Sequence, residues 1–185
     1  MSNMATDNII AKILRDIRVE LADEFDKNFE RQGFFAEKWQ RHKSPLRKGS
    51  HILVKSGDLR RSIRAVSDAN SVTFSSDLPY AAIHNDGGEI EVTARMKRYF
   101  WHKYYETVGG FGRKKNGQLR QDKRNANLEE TAELYKHMAL MKVGSKITIP
   151  RRRFLGYSPE IEKAVTDVIE DNLEQYFKTI KGNDK

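Results

Sequence analysis

Five histidines, His42, His51, His84, His102 and His137, are the side chains best suited by type to proton transfer or metal binding. No two of them have the spacing of a helical ligand pair, and HExxH is absent. The fold could bring His102 and His137 together, but nothing in their spacing requires it. The chain has no cysteine, which excludes disulfides, thiolate metal sites and cysteine nucleophiles. A nuclease would need clustered carboxylates around a divalent metal, whereas the acids here are spread along helical faces. The nearest polar cluster is Asp86 and Glu89 beside His84, and Asp86 reads more simply as a turn residue before Gly87-Gly88. Gly109-Gly110-Phe111-Gly112 is glycine-rich, but it follows no strand and matches no phosphate-binding loop. No nucleophile elbow is present. The expectation is a protein with no catalytic residues, no cofactor and no metal.

Charge gives a more specific signal. The net charge is +8, from 34 basic and 26 acidic residues. Residues 95–124 hold ten of the basic residues against two acids, Glu106 and Asp122, and so account for the whole excess. The rest of the chain is neutral as a group. Arg95, Lys97, Arg98, Arg113, Lys114, Lys115, Arg120, Lys123 and Arg124 are therefore candidate contacts for DNA or an acidic protein surface. A solvated basic loop is the plain alternative. No helix-turn-helix, zinc finger or RNP motif accompanies the basic segment.

The elements that must position these residues follow from periodicity. Ile10, Ile13, Leu14, Ile17, Leu21, Phe25 and Phe29 make one apolar stripe, which predicts a helix over 7–31, capped by Thr6 or Asp7 and ended by Gly33. Ser44-Pro45 and Lys48-Gly49-Ser50 read as loop. Ser56, Gly57 and Asp58 form a turn that caps a short helical piece. Residues 63–67 and 71–75 read as a hairpin around Asp68-Ala69-Asn70. A short helix with Pro79 in its first turn follows, then a reversal at Gly87-Gly88 into a strand over 89–93. The aromatic run at 96–105 reads as helix or strand. Residues 109–127 are expected to be a mobile loop, 128–142 a helix, 145–149 a strand, and 159–180 a closing helix. The fold class is α+β. One small antiparallel sheet over 63–67, 71–75, 89–93 and 145–149 is expected, flanked by long N-terminal and C-terminal helices, with a long basic excursion. The whole chain, 1–185, is read as one domain in which 94–144 is a variable insertion. The opening residues carry no secretory signal pattern, and no apolar run is long enough for a membrane helix.

Three segments carry a resemblance. They are Leu53-Val-Lys-Ser-Gly-Asp-Leu-Arg-Arg-Ser-Ile63, Leu78-Pro-Tyr-Ala-Ala-Ile-His-Asn-Asp-Gly-Gly88 and Ile147-Thr-Ile-Pro-Arg-Arg-Arg-Phe-Leu-Gly156, followed by a helix. In this order they resemble the phage virion morphogenesis family, the Mu-like tail-completion and neck proteins. The resemblance covers 53–180, and the N-terminal helix also fits. Arg152 and Arg153 depart from the family pattern, since a Pro often stands just before the Phe. This departure is expected to loosen that turn.

The resemblance implies a structural protein of the virion that completes the tail or joins it to the neck after assembly in the host cytoplasm. It implies a ring-like homo-oligomer, with a hexamer as candidate size, contacting the tail tube or tail terminator and neck or connector proteins. Non-specific DNA contact is a further candidate, and no membrane is involved. The matching residues, Gly57, Asp58, Leu59, Ser62, Ile63, Tyr80, His84, Gly87, Gly88, Pro150, Arg151, Phe154 and Gly156, are assigned to fold or assembly. The alternative function is a DNA-binding or DNA-processing protein acting through 95–124.

Overall fold

In the computed structural model, residues 2–42 and 51–183 are described, with side chains from 9 to 42 and from 51 to 181. The loop expected around 44–50 and the capping side chains of Thr6 and Asp7 lie outside them. The chain divides into two compact units: residues 1–39, 51–86 and 151–185 form the first, and residues 40–50 and 87–150 the second.

In the first unit the helix α1 (Ser2–Arg31) buries Ile17, Leu21, Phe25 and Phe29 along one face. It begins upstream of the expected cap. It ends where Gln32 takes a left-handed backbone (φ 55°), so the reversal falls on Gln32 and not on Gly33. Gly33 is needed for a different reason: a Cβ there would lie 2.5 Å from the Glu37 carbonyl across the tiny hairpin β1 (Gly33–Phe34) and β2 (Glu37–Lys38). The closing helix α6 (Pro159–Asn183) packs on α1. Ser158 accepts the Ile161 N–H at 3.3 Å as an N-cap does, and Pro159 occupies the first turn, where it loses no hydrogen bond. Ile161 is buried against the α1 face, with Ala164, Val165, Val168 and Ile169 packed alongside.

The short helix α2 (Asp58–Arg61) leads into β3 (Ile63–Ser67), which pairs antiparallel with β4 (Val72–Ser76) in the expected hairpin. Asp68 holds the turn, accepting the Asn70 and Ser71 N–H groups at 2.8 Å each. Phe74 meets Phe25 of α1 edge to face at 4.9 Å. The helix α3 (Ala81–Asp86) completes this unit.

The second unit holds β5 (Gly88–Glu91), α4 (Ala94–Gly109), α5 (Lys123–Leu140) and β6 (Lys146–Ile149). The aromatic run is helix α4: Thr93 caps it by accepting the Met96 N–H, and Phe100 stacks on Tyr135 of α5. Ala132 and Ala139, seven residues apart, are buried on α5 and keep side-chain bulk off its packed face.

Two expectations are corrected here. The four long strands do not form one sheet. They make two separate antiparallel pairs, β3 with β4 and β5 with β6. The hairpin covers its apolar face with α1 instead of with further strands, and β5–β6 carries charged positions such as Glu89 and Lys146, paired at 2.7 Å, which suit an edge and not a sheet centre. The second correction concerns only the bounds of the 109–127 loop. Only 110–122 lies between helices, because Asp122 accepts the Asn125 N–H at 2.8 Å and starts α5 five residues before the expected 128. Inside the connection, Arg113 bridges Leu119, Lys114 N–H donates to the Gln118 carbonyl, and Arg120 N–H donates to Gly112. The buried Asn125 side chain bonds Gly112 twice and Arg120 once. Backbone and amide hydrogen bonds thus satisfy polar groups along this apolar-poor connection.

Candidate functional site

Residues 53–63, 78–86 and 151–156 of the three motif segments lie in the first unit. Leu53 and Leu59 from the first, Ala81 from the second and Phe154 from the third are buried in one cluster with Phe29, Trp39 and Ile52. Ile63 and Leu78 pack against it. Phe154 is 1% exposed, with its ring 5.5 Å from that of Phe29. These motif positions thus have a common physical cause: each segment brings an apolar side chain to the same core.

Around Phe154 the backbone is held by side chains. Asn85 Oδ1 accepts both the Phe154 N–H at 3.0 Å and the Leu155 N–H at 2.9 Å. Trp39 Nε1 donates to the Arg153 carbonyl at 2.6 Å, and Asn28 Nδ2 donates a longer bond to the Phe154 carbonyl. The Arg152 N–H donates to the His84 carbonyl at 2.8 Å, so the second and third motifs are joined by their main chains too. Arg153 makes contacts across the turn. Its guanidinium donates to the Tyr157 and Leu155 carbonyls and lies over the Phe34 ring at 4.4 Å. Gly156 (φ 139°) leaves room for it, because a Cβ there would lie 2.5 Å from the guanidinium.

The remaining motif residues shape turns. Gly57 (φ 77°) initiates α2, a conformation that a Cβ strains. Asp58 accepts from the Ser56 hydroxyl and pairs with Arg61, and these contacts hold its carboxyl below the usual carboxylate range. Ser62 donates to the Leu59 carbonyl and lies 2.7 Å from the Ser76 hydroxyl, tying the first motif to β4. Gly87 (φ 74°) ends α3, and Gly88 begins β5 opposite Ile149. Tyr80 is exposed and packs edge-on against the His84 ring at 6.1 Å. Pro150 is half-buried after β6, and Arg151 is exposed.

The basic candidates all fall in the second unit. Arg95, Arg98, Arg113, Lys114, Lys115, Arg120, Lys123 and Arg124 are exposed and Lys97 is half-buried. They are divided between the start of α4 and the 110–124 turn. Among the described residues, no three His, Asp or Glu side chains stand together as a metal site, and no helix is long and apolar enough to cross a membrane.

Sequence reasoning missed the polar groups that fix the motif core. Asn28 is fully buried on the apolar face of α1, where it also accepts the Phe35 N–H at 3.1 Å. An amide between Phe25 and Phe29 on an apolar stripe was the available signal, because a buried polar group demands a partner. Asn85 lay inside a recognised motif, yet nothing in its neighbours indicated what it would bind. The family model for phage virion morphogenesis matches residues 3–174, which extends the likeness through the N-terminal helix. No curated protein and no solved structure matches the chain. The match spans nearly the whole sequence and includes all three motif segments, and the chain therefore belongs to the phage virion morphogenesis family.

Proposed function

We propose that this protein is a structural component of a phage particle that assembles as a ring at the tail end or head–tail junction, completing the tail or joining it to the neck. It works by assembly and not by catalysis. It is made in the host cytoplasm and remains in the virion, touching its own copies, the tail tube or terminator, and neck proteins. The reading rests on family membership across residues 3–174. It is consistent with motif residues that serve packing and turn geometry. Ring closure requires a heterologous contact, in which two different surfaces of each copy meet.

Disrupting the gene in a phage that carries it should leave full heads and separate tails in lysates viewed by electron microscopy, with infectivity restored by the supplied protein. Infectious, fully joined particles without the protein would reject the reading. The exposed basic turn favours a second reading, contact with DNA. That reading predicts salt-sensitive binding of duplex DNA by the purified protein.

A further inference from the structure

Two exposed surfaces of this chain are complementary in charge, and each carries accessible apolar side chains. The first is a groove of about 630 Å³ along α1 and α6 in the first unit. Its apolar lining is Phe35, Ala36, Ala164 and Val168. Glu24 on its wall is neutralised by Arg31 at 2.9 Å and by Lys27 at 2.8 Å. That leaves Glu20, Glu160, Asp167 and Asp171 against the single cation Lys163. Among the described residues none of those four carboxylates forms an ion pair, and all four are exposed.

The second surface is the 110–124 turn of the second unit. It makes hydrogen bonds within itself and carries Lys114, Lys115, Lys123 and Arg124, none of which has an ion-pair partner among the described residues. Leu119, 45% exposed, is the large apolar side chain left in solvent on this turn. One surface is therefore an apolar floor with an acidic rim, and the other a basic surface on which Leu119 is exposed beside a hollow lined by Tyr104, Val108 and Phe111.

We propose that the basic turn of one copy seats in the acidic α1–α6 groove of a second copy, Leu119 against the apolar floor and Lys114 and Lys115 toward Asp167 and Asp171. This inference rests on the ring reading above and supplies its heterologous contact. The two patches are different surfaces of one chain, so each copy donates its turn to one neighbour and receives a turn from another. Opposed unpaired charges of this kind steer encounter and fix register, and they weaken with salt.

The test uses two full-length charge-reversal variants, Lys114→Glu with Lys115→Glu, and Asp167→Lys with Asp171→Lys. All four side chains are exposed, so both variants should melt as the wild type does. In sedimentation velocity each variant alone should lose the assembled species, and an equimolar mixture of the two should recover it, because each reversed surface then meets a complementary one. Assembly of both single variants at wild-type concentration would overturn the contact and leave the ring reading standing. The same holds if a turn variant assembles normally but loses affinity for a labelled random-sequence DNA duplex. Failure of the mixture to recover assembly also overturns the pairing. A wild-type protein that stays monomeric at every concentration would remove the ring reading itself.

Discussion

Asn85 offers the sharpest test of how the motif core is held. Its Oδ1 is the acceptor for two backbone donors, Phe154 N–H and Leu155 N–H. Asn85→Ala removes that acceptor and leaves both donors beside a core residue that is 1% exposed. An unsatisfied buried donor costs about 1–3 kcal/mol, and two neighbouring losses share any relief from an entering water, so the total expected is about 2–4 kcal/mol. For a chain of this size that corresponds to a fall in Tm of about 4–16 °C. Asn85→Asp is the control. A carboxylate keeps oxygen acceptors in place, and charge-assisted bonds to N–H groups are strong. What the substitution loses is the exposed bond from Asn85 Nδ2 to Asp86, replaced by a like-charge neighbour costing about 1 kcal/mol or less in solvent. Thermal melts followed by near-ultraviolet circular dichroism would read both. The reasoning fails if the alanine variant melts with the wild type, or if alanine and aspartate variants fall together.

Leu59→Ala should cost about 2–5 kcal/mol in urea unfolding, since Leu59 is 4% exposed in the motif cluster; a wild-type melt with failed assembly would instead place it at an interface. The Asp68 carboxyl, stabilised by the Asn70 N–H and then by the Ser71 hydroxyl and N–H, has its pKa lowered. Its contribution to the β3–β4 turn is present above the unfolded-state pKa and is lost as pH falls through the lower folded value. A carboxyl NMR titration should therefore give a midpoint below that of a model Asp, and a normal midpoint would contradict the turn geometry. In the basic turn, hydrogen exchange should be slower at the Lys114, Gly117 and Arg120 amides, which donate to backbone carbonyls, than at Lys115 and Asn116; uniform fast exchange across 112–121 would instead bear out the mobile loop expected from composition.

Much of the fold was legible because periodicity is a local property. The α1 stripe from Ile17 to Phe29, the closing helix opened by Ser158-Pro159, and the β3–β4 hairpin around Asp68 each follow from residues close in sequence. The turn glycines at 57, 87 and 88 were readable for the same reason, and their positive φ values follow from the absence of a Cβ. The three motif segments in order were enough to suggest the family.

Tertiary structure alone decided what those segments do for one another. Sequence spacing cannot show that Asn85 reaches Phe154 across 69 positions, or that Asn28 reaches it across 126. Nor can alternation in short strands reveal partner choice, since β5 pairs with a strand more than fifty residues away and neither pair extends into a larger sheet. The basic segment shows the same division. Its charge was plain from composition, but the hydrogen bonds of Asn125 to Gly112 and Arg120 were not. Likewise, the acids of α1 and α6 read as solvent-facing in each helix taken singly, and only the packing of the two helices gathers them around an apolar floor. Local chemistry sets the elements, while long-range hydrogen bonds and side-chain packing, which no local pattern encodes, set where the elements meet.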